Sequence, residues 1–273
     1  VAAVVCLTLA ITVVIAKAVG CTLRLYQNDD IGREEESGCC SLEDVEDARA
    51  VAAKLEMDFY AFNFKELFRR CVMDEFVASY QAGRTPNPCI QCNRHIKFDA
   101  LLRRADELGI DYIATGHYAR VGYDESRGRW QLLRGKDRRK DQSYVLYPLT
   151  QEQLSRLKMP VGEYEKSEIR AIAEERGLIN AHKKDSQDIC FIPDGDYKAF
   201  MEYYTGKSYP HGNFLDESGK VIGRHNGAVG YTLGQRKGLG IGGRHGQGRG
   251  SVSRLCQLPS FHRGLSSEIF EGH

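Results

Sequence analysis

Between Cys21 and Thr115 short apolar runs alternate with longer segments of helical periodicity, and this limits the possible folds more than any other feature of the chain. Cys21 to Tyr26 reads as a strand, and Asn28 to Gly38 as a polar loop. Ser41 has the character of a helix N-cap, with Asp44 three residues on as its capping-box partner. Leu42, Val45, Ala48, Ala52 and Leu55 then recur at helical spacing. Asp58 to Asn63 is a second, aromatic strand, and Lys65 to Gln81 a second amphipathic helix. A third helix is expected from about His95 to Leu108 with Gly109 as its stop, followed by a strand over Asp111 to Thr115. Strand, helix, strand, helix, loop, helix, strand is the order of an α/β domain with a parallel sheet.

The loop before the third helix, Gly83-Arg84-Thr85-Pro86-Asn87-Pro88, holds two prolines and reads as extended and rigid. Beyond Arg120 the segments shorten. A strand is expected at Trp130 to Arg134, a basic loop at Gly135 to Asp141, and a helix at Ser167 to Arg176 stopped by Gly177. From about Tyr203 the pattern is Gly-rich with short strands, as in a small β-containing domain, and residues 244–273 are a Gly/Arg/Ser tail with little periodicity. The expected division is therefore 1–200, 201–243 and 244–273. At 273 residues the chain can bury a sizeable core.

Residues 1–16 form an apolar run that ends at Lys17. The run is shorter than the roughly 20 residues needed to cross a bilayer and has no basic segment before it. Buried core is one reading; an export or membrane signal, or a sequence altered relative to its relatives, are the others. No membrane association and a cytoplasmic location are expected. Lys and Arg total 38 against 37 for Asp and Glu, so bulk charge neither favours nor disfavours a nucleic-acid partner.

The nine cysteines are not spaced like a disulfide framework. Cys39 and Cys40 are adjacent, Cys89 and Cys92 form C-x-x-C, and Cys190 stands alone, a spacing that points to redox, sulfur-transfer or metal chemistry. Cys92 is expected at the mouth of the third helix, where the helix N-terminus favours the thiolate. Cys190, between Ile189 and Phe191, fits either a reactive partner of Cys92 or a buried apolar side chain. His117 follows the C-terminal end of a strand, the edge where open parallel sheets bind ligands. Gly116 before it would let a ligand approach the backbone closely. Tyr231 to Gly240, with Arg236 and Lys237 inside a glycine-rich turn, carries a weak phosphate-contact signal.

Five segments in order, Thr85-Pro86-Asn87-Pro88-Cys89-x-x-Cys92-Asn93, Ala114-Thr115-Gly116-His117-Tyr118, Lys140-Asp141-Gln142-Ser143-Tyr144, Ser186-Gln187-Asp188-Ile189-Cys190-Phe191-Ile192-Pro193 and Tyr231 to Ile241, resemble the tRNA 2-thiouridylase family from about Cys21 to Gly243. The resemblance implies an adenine-nucleotide-hydrolase-like (PP-loop ATPase) α/β domain followed by a small β-containing one. It implies a reaction in which ATP, with Mg2+, adenylates O2 of uridine 34 of tRNA and a cysteine persulfide delivers sulfur to C2. A second cysteine then releases the product by forming a disulfide.

Carried onto this sequence, the resemblance makes Cys92 the nucleophile and Cys190 the persulfide cysteine, with a Cys92–Cys190 disulfide as the oxidised form. It places Asn87, Pro88 and Cys89 at the target base, Leu23 and Gly116 at ATP, and His117, Lys140, Asp141 and Gln142 at tRNA. The implied partners are tRNA and a persulfide-donating protein. Members of the C-x-x-C type suggest a further route in which Cys89, Cys92 and Cys190 hold a [4Fe-4S] cluster; both routes stay open at this level.

The family's Ser-Gly-Gly-Val-Asp-Ser-Ser loop, which cradles pyrophosphate, does not occur in this sequence, and Val1-Ala2-Ala3 matches the family's segment immediately after that loop. The match ends near Gly243, short of the family's C-terminal β-barrel. The expectation is a chain with the thiolation cysteines and impaired turnover. The alternative is a non-catalytic tRNA- or Fe–S-binding remnant. An adenylating enzyme acting on another carbonyl would have no use for the three cysteines.

Overall fold

The computed structural model describes residues 3–4, 18–32, 42–179, 181, 189–216, 218–232, 235 and 238–240. Most of the apolar run 1–16, Ser41, Cys39, Cys40, Ser186 to Asp188, Arg236, Lys237 and the tail 244–273 lie outside them. Among the described residues no helix is long and apolar enough to cross a membrane.

Contacts divide the chain into two units. The first takes the described part of 1–74 together with 87–193, and the second takes 75–86 with the described part of 194–273.

In the first unit, β1 (Ala3–Val4) pairs antiparallel with β2 (Val19–Arg24), which pairs in parallel with β3 (Asp58–Asn63) in the register Val19↔Asp58 to Arg24↔Asn63. A parallel pair needs a crossover, and α1 (Leu42–Lys54) supplies it by laying Val45, Val51 and Ala52 against the sheet. Gly20 permits that approach, since a Cβ there would sit 3.3 Å from the Ala52 Cβ.

Residues 65–81 are helical throughout, as expected. They divide into α2 (Lys65–Phe68), a π-helical turn (Arg69–Met73) and α3 (Asp74–Gln81). Phe68, Val72 and Met73 are fully buried, and the Phe68 ring meets Tyr26 at 6.0 Å and Phe191 at 5.8 Å.

The third helix differs from the expectation. It starts at Pro88, not near His95, as α4 (Pro88–Cys92), and continues through a π-helical stretch (Asn93–Ala100) into α5 (Leu101–Glu107). The proline read as a helix breaker occupies the first helical position, where its missing N–H costs nothing. Asn87 caps the helix by accepting from the Cys89 amide at 3.1 Å. Gly109, at φ +66°, closes the run as expected.

A second parallel ladder joins β4 (Ile113–Ala114) to a strand at Leu157–Lys158. Between them lies a hairpin, β5 (Ala119–Asp124) with β6 (Arg129–Arg134), of which periodicity indicated only the second half. Helix α6 (Gln151–Ser155) clamps it, Gln151 exchanging two hydrogen bonds with the Trp130 backbone at 2.7 and 3.0 Å. The strand Leu157–Lys158 is β7, and α7 (Lys166–Glu175) ends at Gly177, whose carbonyl accepts from Lys54 Nζ at 2.6 Å.

In the second unit, α3 and α8 (Tyr197–Thr205) share an aromatic core. Phe76 lies 4.8 Å from Tyr80, 6.1 Å from Tyr197 and 6.0 Å from Phe200. Asp196 caps α8 through the Ala199 amide at 2.9 Å and Gly206 ends it at φ +66°. A small antiparallel pair, β8 (Gly212–Leu215) and β9 (Val221–His225), packs Phe214 against His225 and Tyr231 at 5.3 and 5.2 Å. The class is therefore the expected one: a parallel α/β unit with a smaller β-containing unit.

Candidate functional site

Spacing of i, i+3 puts Cys89 and Cys92 on one side of the helix that begins at Pro88. Their surroundings differ. Cys89 sits in the first turn and is exposed, whereas Cys92 lies a turn further in and is only 7% exposed. It is therefore Cys89, not Cys92, that stands at the helix mouth, because Asn87 and Pro88 start the helix earlier than the two prolines suggested.

Asn93, beside Cys92, is buried and donates from Nδ2 to the Val145 carbonyl at 3.1 Å. Its Oδ1 has no hydrogen-bond partner among the described residues. Val145 belongs to a 3-10 turn (Ser143–Val145) that directly follows Lys140, Asp141 and Gln142. That segment is tied in turn to the next motif: the Gln142 amide donates to the Tyr118 carbonyl at 2.9 Å, and the Tyr118 amide donates to Gln142 Oε1 at 3.0 Å. Three motifs far apart in sequence, around Cys92, His117 and Gln142, are thus hydrogen-bonded into one neighbourhood.

His117 is 9% exposed. Its Nδ1 lies 2.9 Å from Thr115 Oγ1 and its ring 5.7 Å from that of Phe98. Burial, reinforced by the positive charge of Lys97, holds its pKa well below the ordinary 6.5, so the ring is neutral at pH 7. Gly116 precedes it at the C-terminal end of β4. It is exposed, and a Cβ built on it would meet nothing within 4 Å. Nothing within the described fold requires a glycine there, and the space over the backbone is open to a ligand. The Leu23 side chain is 3% exposed in the sheet core, so it can meet a nucleotide only through its main chain.

The mixed-sign loop resolves into two layers. Asp141 is opposed by burial, but N–H donation from Gly135 at 2.9 Å and bonds from Ser143 and Arg134 outweigh this and lower its pKa. Asp137 is lowered chiefly by the Lys166 amide at the start of α7, with the Arg139 amide adding a bond at 3.0 Å. Both carboxylates are turned onto main-chain donors, while Arg138 and Arg139 face solvent and Lys140 is half-buried. The loop is basic at its surface although its composition is mixed.

Cys190 is half-buried, and its carbonyl accepts from the Tyr26 hydroxyl just beyond β2. Phe191, packed on Phe68, anchors it to the helical segment whose next turn, Arg69–Met73, packs against α4. Cys92 and Cys190 therefore flank one helical segment. The three-thiolate arrangement expected from Cys89, Cys92 and Cys190 is not formed: among the described residues no group of three or more His, Cys, Asp or Glu side chains is placed to hold a metal ion. Cys89 is exposed and Cys92 buried, and the three thiols are not gathered as a ligand set among the described residues.

Sequence reasoning gave no role to Asn93 or Tyr26. Asn93 belongs to the C-x-x-C segment, and a polar residue between Cys92 and the apolar positions of the helix is its one sequence signal. Nothing local marks Tyr26.

A parallel α/β unit whose strand end presents an open glycine and a neutral histidine beside a C-x-x-C helix defines a nucleotide-hydrolase-like fold equipped with thiols. Residues 2–194 match the family model described as the tRNA methyl transferase HUP domain, and residues 198–252 the tRNA methyl transferase PRC-barrel domain. The chain belongs to that family. It is similar to tRNA-specific 2-thiouridylase MnmA of Carboxydothermus hydrogenoformans, 52% identical over 226 residues, covering 82% of this chain and 62% of the relative. The protein of that name from Lachnoclostridium phytofermentans is 53% identical over 224 residues, covering 82% and 62%, and that from Clostridioides difficile 50% over 223 residues, covering 82% and 62%. The chain spans about 62% of the length of these relatives.

Proposed function

We propose that this chain performs the sulfur-transfer chemistry of ATP-dependent 2-thiolation of uridine 34 in tRNA. The observation that carries the reading is the hydrogen-bonded junction of Asn93 with Val145 and Gln142 with Tyr118, which gathers the cysteine helix, the Gly116-His117 strand end and the 140–142 turn.

In this scheme ATP, with Mg2+, transfers AMP to O2 of the uridine near Gly116 and the Leu23 main chain, releasing pyrophosphate. Asn87, Pro88 and Cys89 hold the base. His117 is neutral and, with Nδ1 engaged by Thr115, has Nε2 left to meet RNA without adding charge. Lys140 contacts the phosphate backbone, while Asp141 and Gln142 hold its turn in place. A donor protein loads Cys190 as a persulfide, whose terminal sulfur attacks C2 as AMP leaves. Cys92 then attacks the Cys190 sulfur. The S–S bond to the base breaks, its electron pair forms the C2 thiocarbonyl, and a Cys92–Cys190 disulfide remains for an external thiol to reduce.

The thiol half of this cycle can be tested without nucleotide. Full-length chain is treated with a small-molecule persulfide donor, desalted, and followed by intact mass and sulfide release. The expected result is loss of the Cys190 persulfide with release of hydrogen sulfide and formation of a Cys92–Cys190 disulfide. Cys92→Ala should retain the persulfide. Equal sulfide release from Cys92→Ala and the parent would refute the pairing.

A further inference from the structure

The turn after the basic loop shows two large aromatic side chains to solvent. Tyr144 is 63% exposed and Tyr147 is 70% exposed, although the residues between them, Val145 and Leu146, are buried at 4% and 0%. Hydrogen bonds from the amides of Val145 to Gln142, Leu146 to Ser143 and Leu149 to Leu146, at 3.1 to 3.2 Å, give this stretch a three-residue period. With Val145 and Leu146 turned into the protein, both exposed rings lie on the outer face of the stretch.

The fold has no use for rings there. Val145 and Leu146 anchor the turn, and neither tyrosine has a ring, hydrogen-bond or ion-pair partner among the described residues. The scaffold beneath them is stiff: Asn93 holds Val145, and Gln142 holds the strand segment that carries His117. Beside them the loop shows Arg138 and Arg139 to solvent, with its acidic side chains turned inward onto main-chain amides. Exposed aromatics on a rigid turn next to cations are the elements with which proteins hold unpaired nucleic acid, the rings stacking on bases and the cations tracking phosphates.

We propose that Tyr144 and Tyr147 form a stacking platform for unpaired nucleobases of an RNA loop, holding the strand beside the nucleotide that enters the Cys89–Cys92 site. The inference rests on the tRNA reading above but assigns these two residues a role of their own. A protein partner seated on the same face is the competing class. The adjoining cations and the hydrogen-bonded continuity with the His117 segment favour RNA.

The test measures binding of an unmodified tRNA transcript to the full chain over a range of salt concentrations. Tyr144→Ala and Tyr147→Ala should each weaken binding about five- to a hundred-fold, the range for losing one aromatic–base stack, and Tyr→Phe at either position should restore it. The slope of log K against log salt should stay that of the parent in all four, because no phosphate contact is lost, whereas Arg138→Ala with Arg139→Ala should flatten it. Thermal unfolding of each variant should match the parent, since both rings are solvent-exposed. Parent-like affinity in both alanine variants would overturn the platform and leave the tRNA reading standing, as a protein-docking role would also produce. A parent chain with no affinity for the transcript would overturn both.

Discussion

Gln142 and Tyr118 hold one another in both directions: the Gln142 amide donates to the Tyr118 carbonyl at 2.9 Å, and Gln142 Oε1 accepts from the Tyr118 amide at 3.0 Å. Tyr118 is buried, so removing the side-chain acceptor leaves its N–H unsatisfied. Gln142→Ala should lower unfolding free energy by about 1–3 kcal/mol, measured by denaturant titration. Gln142→Glu, which keeps an acceptor at that place, should lose much less. Equal losses in the two variants would show that the Oε1 bond is not what matters.

Two glycines near this junction should behave oppositely. A Cβ on Gly162 would stand 1.8 Å from the Ala119 carbonyl oxygen, an overlap that only backbone movement can relieve. Gly162→Ala should cost about 3 kcal/mol or more, at the upper end of overpacking penalties, or abolish folding. Gly116→Ala meets nothing within 4 Å and should keep the parent melting temperature. Gly116→Val should also fold, and loss of nucleotide binding in it would tie the open space to ATP. Unfolding of Gly116→Ala would argue against that space being reserved for a ligand.

His117 makes a pH prediction whose sign is set by burial. Its folded pKa lies well below 6.5, so below pH 6.5 the unfolded chain binds a proton that the folded chain refuses. Stability should therefore be unaffected by this group above pH 6.5 and fall as pH drops below it, with a slope of up to about 1.4 kcal/mol per pH unit. The measurement is unfolding free energy between pH 5 and 8 for the parent and His117→Asn. His225, also buried with a lowered pKa, adds a similar term to both proteins and cancels in the difference. Identical pH slopes in the two proteins would show that His117 titrates normally.

The thiols should separate kinetically. Iodoacetamide under native conditions is expected to modify exposed Cys89 first and buried Cys92 only slowly, with both reacting in denaturant. Peptide mass mapping over time reads the order. Faster labelling of Cys92 would mean that the helix turn opens around it.

Elements with strong local patterns were legible in the sequence. The strand Asp58–Asn63, helicity over 65–81 and the stops at Gly109 and Gly177 arise from periodicity and from glycines that take up positive φ. The helix start at Pro88 was missed because proline excludes helix interiors but suits a first turn, and telling the two apart required the Asn87 cap. Strand β5 was missed because Ala119–Asp124 has little alternation of its own and is held by pairing with Arg129–Arg134.

For the site, the order and types of the motif residues determined which family the chain resembles, since that information is linear. Their meeting was decided in three dimensions. Asn93 reaches Val145 over 52 residues and Gln142 reaches Tyr118 over 24, and hydrogen bonds of that span leave no periodic trace. Burial made the same distinction between like residues. Cys89 and Cys92 share a motif, and Asp137 and Arg138 share a loop, yet one of each pair faces solvent and the other is enclosed. Which side chains remain available for chemistry is set by what packs over them, and that is a property of the tertiary fold.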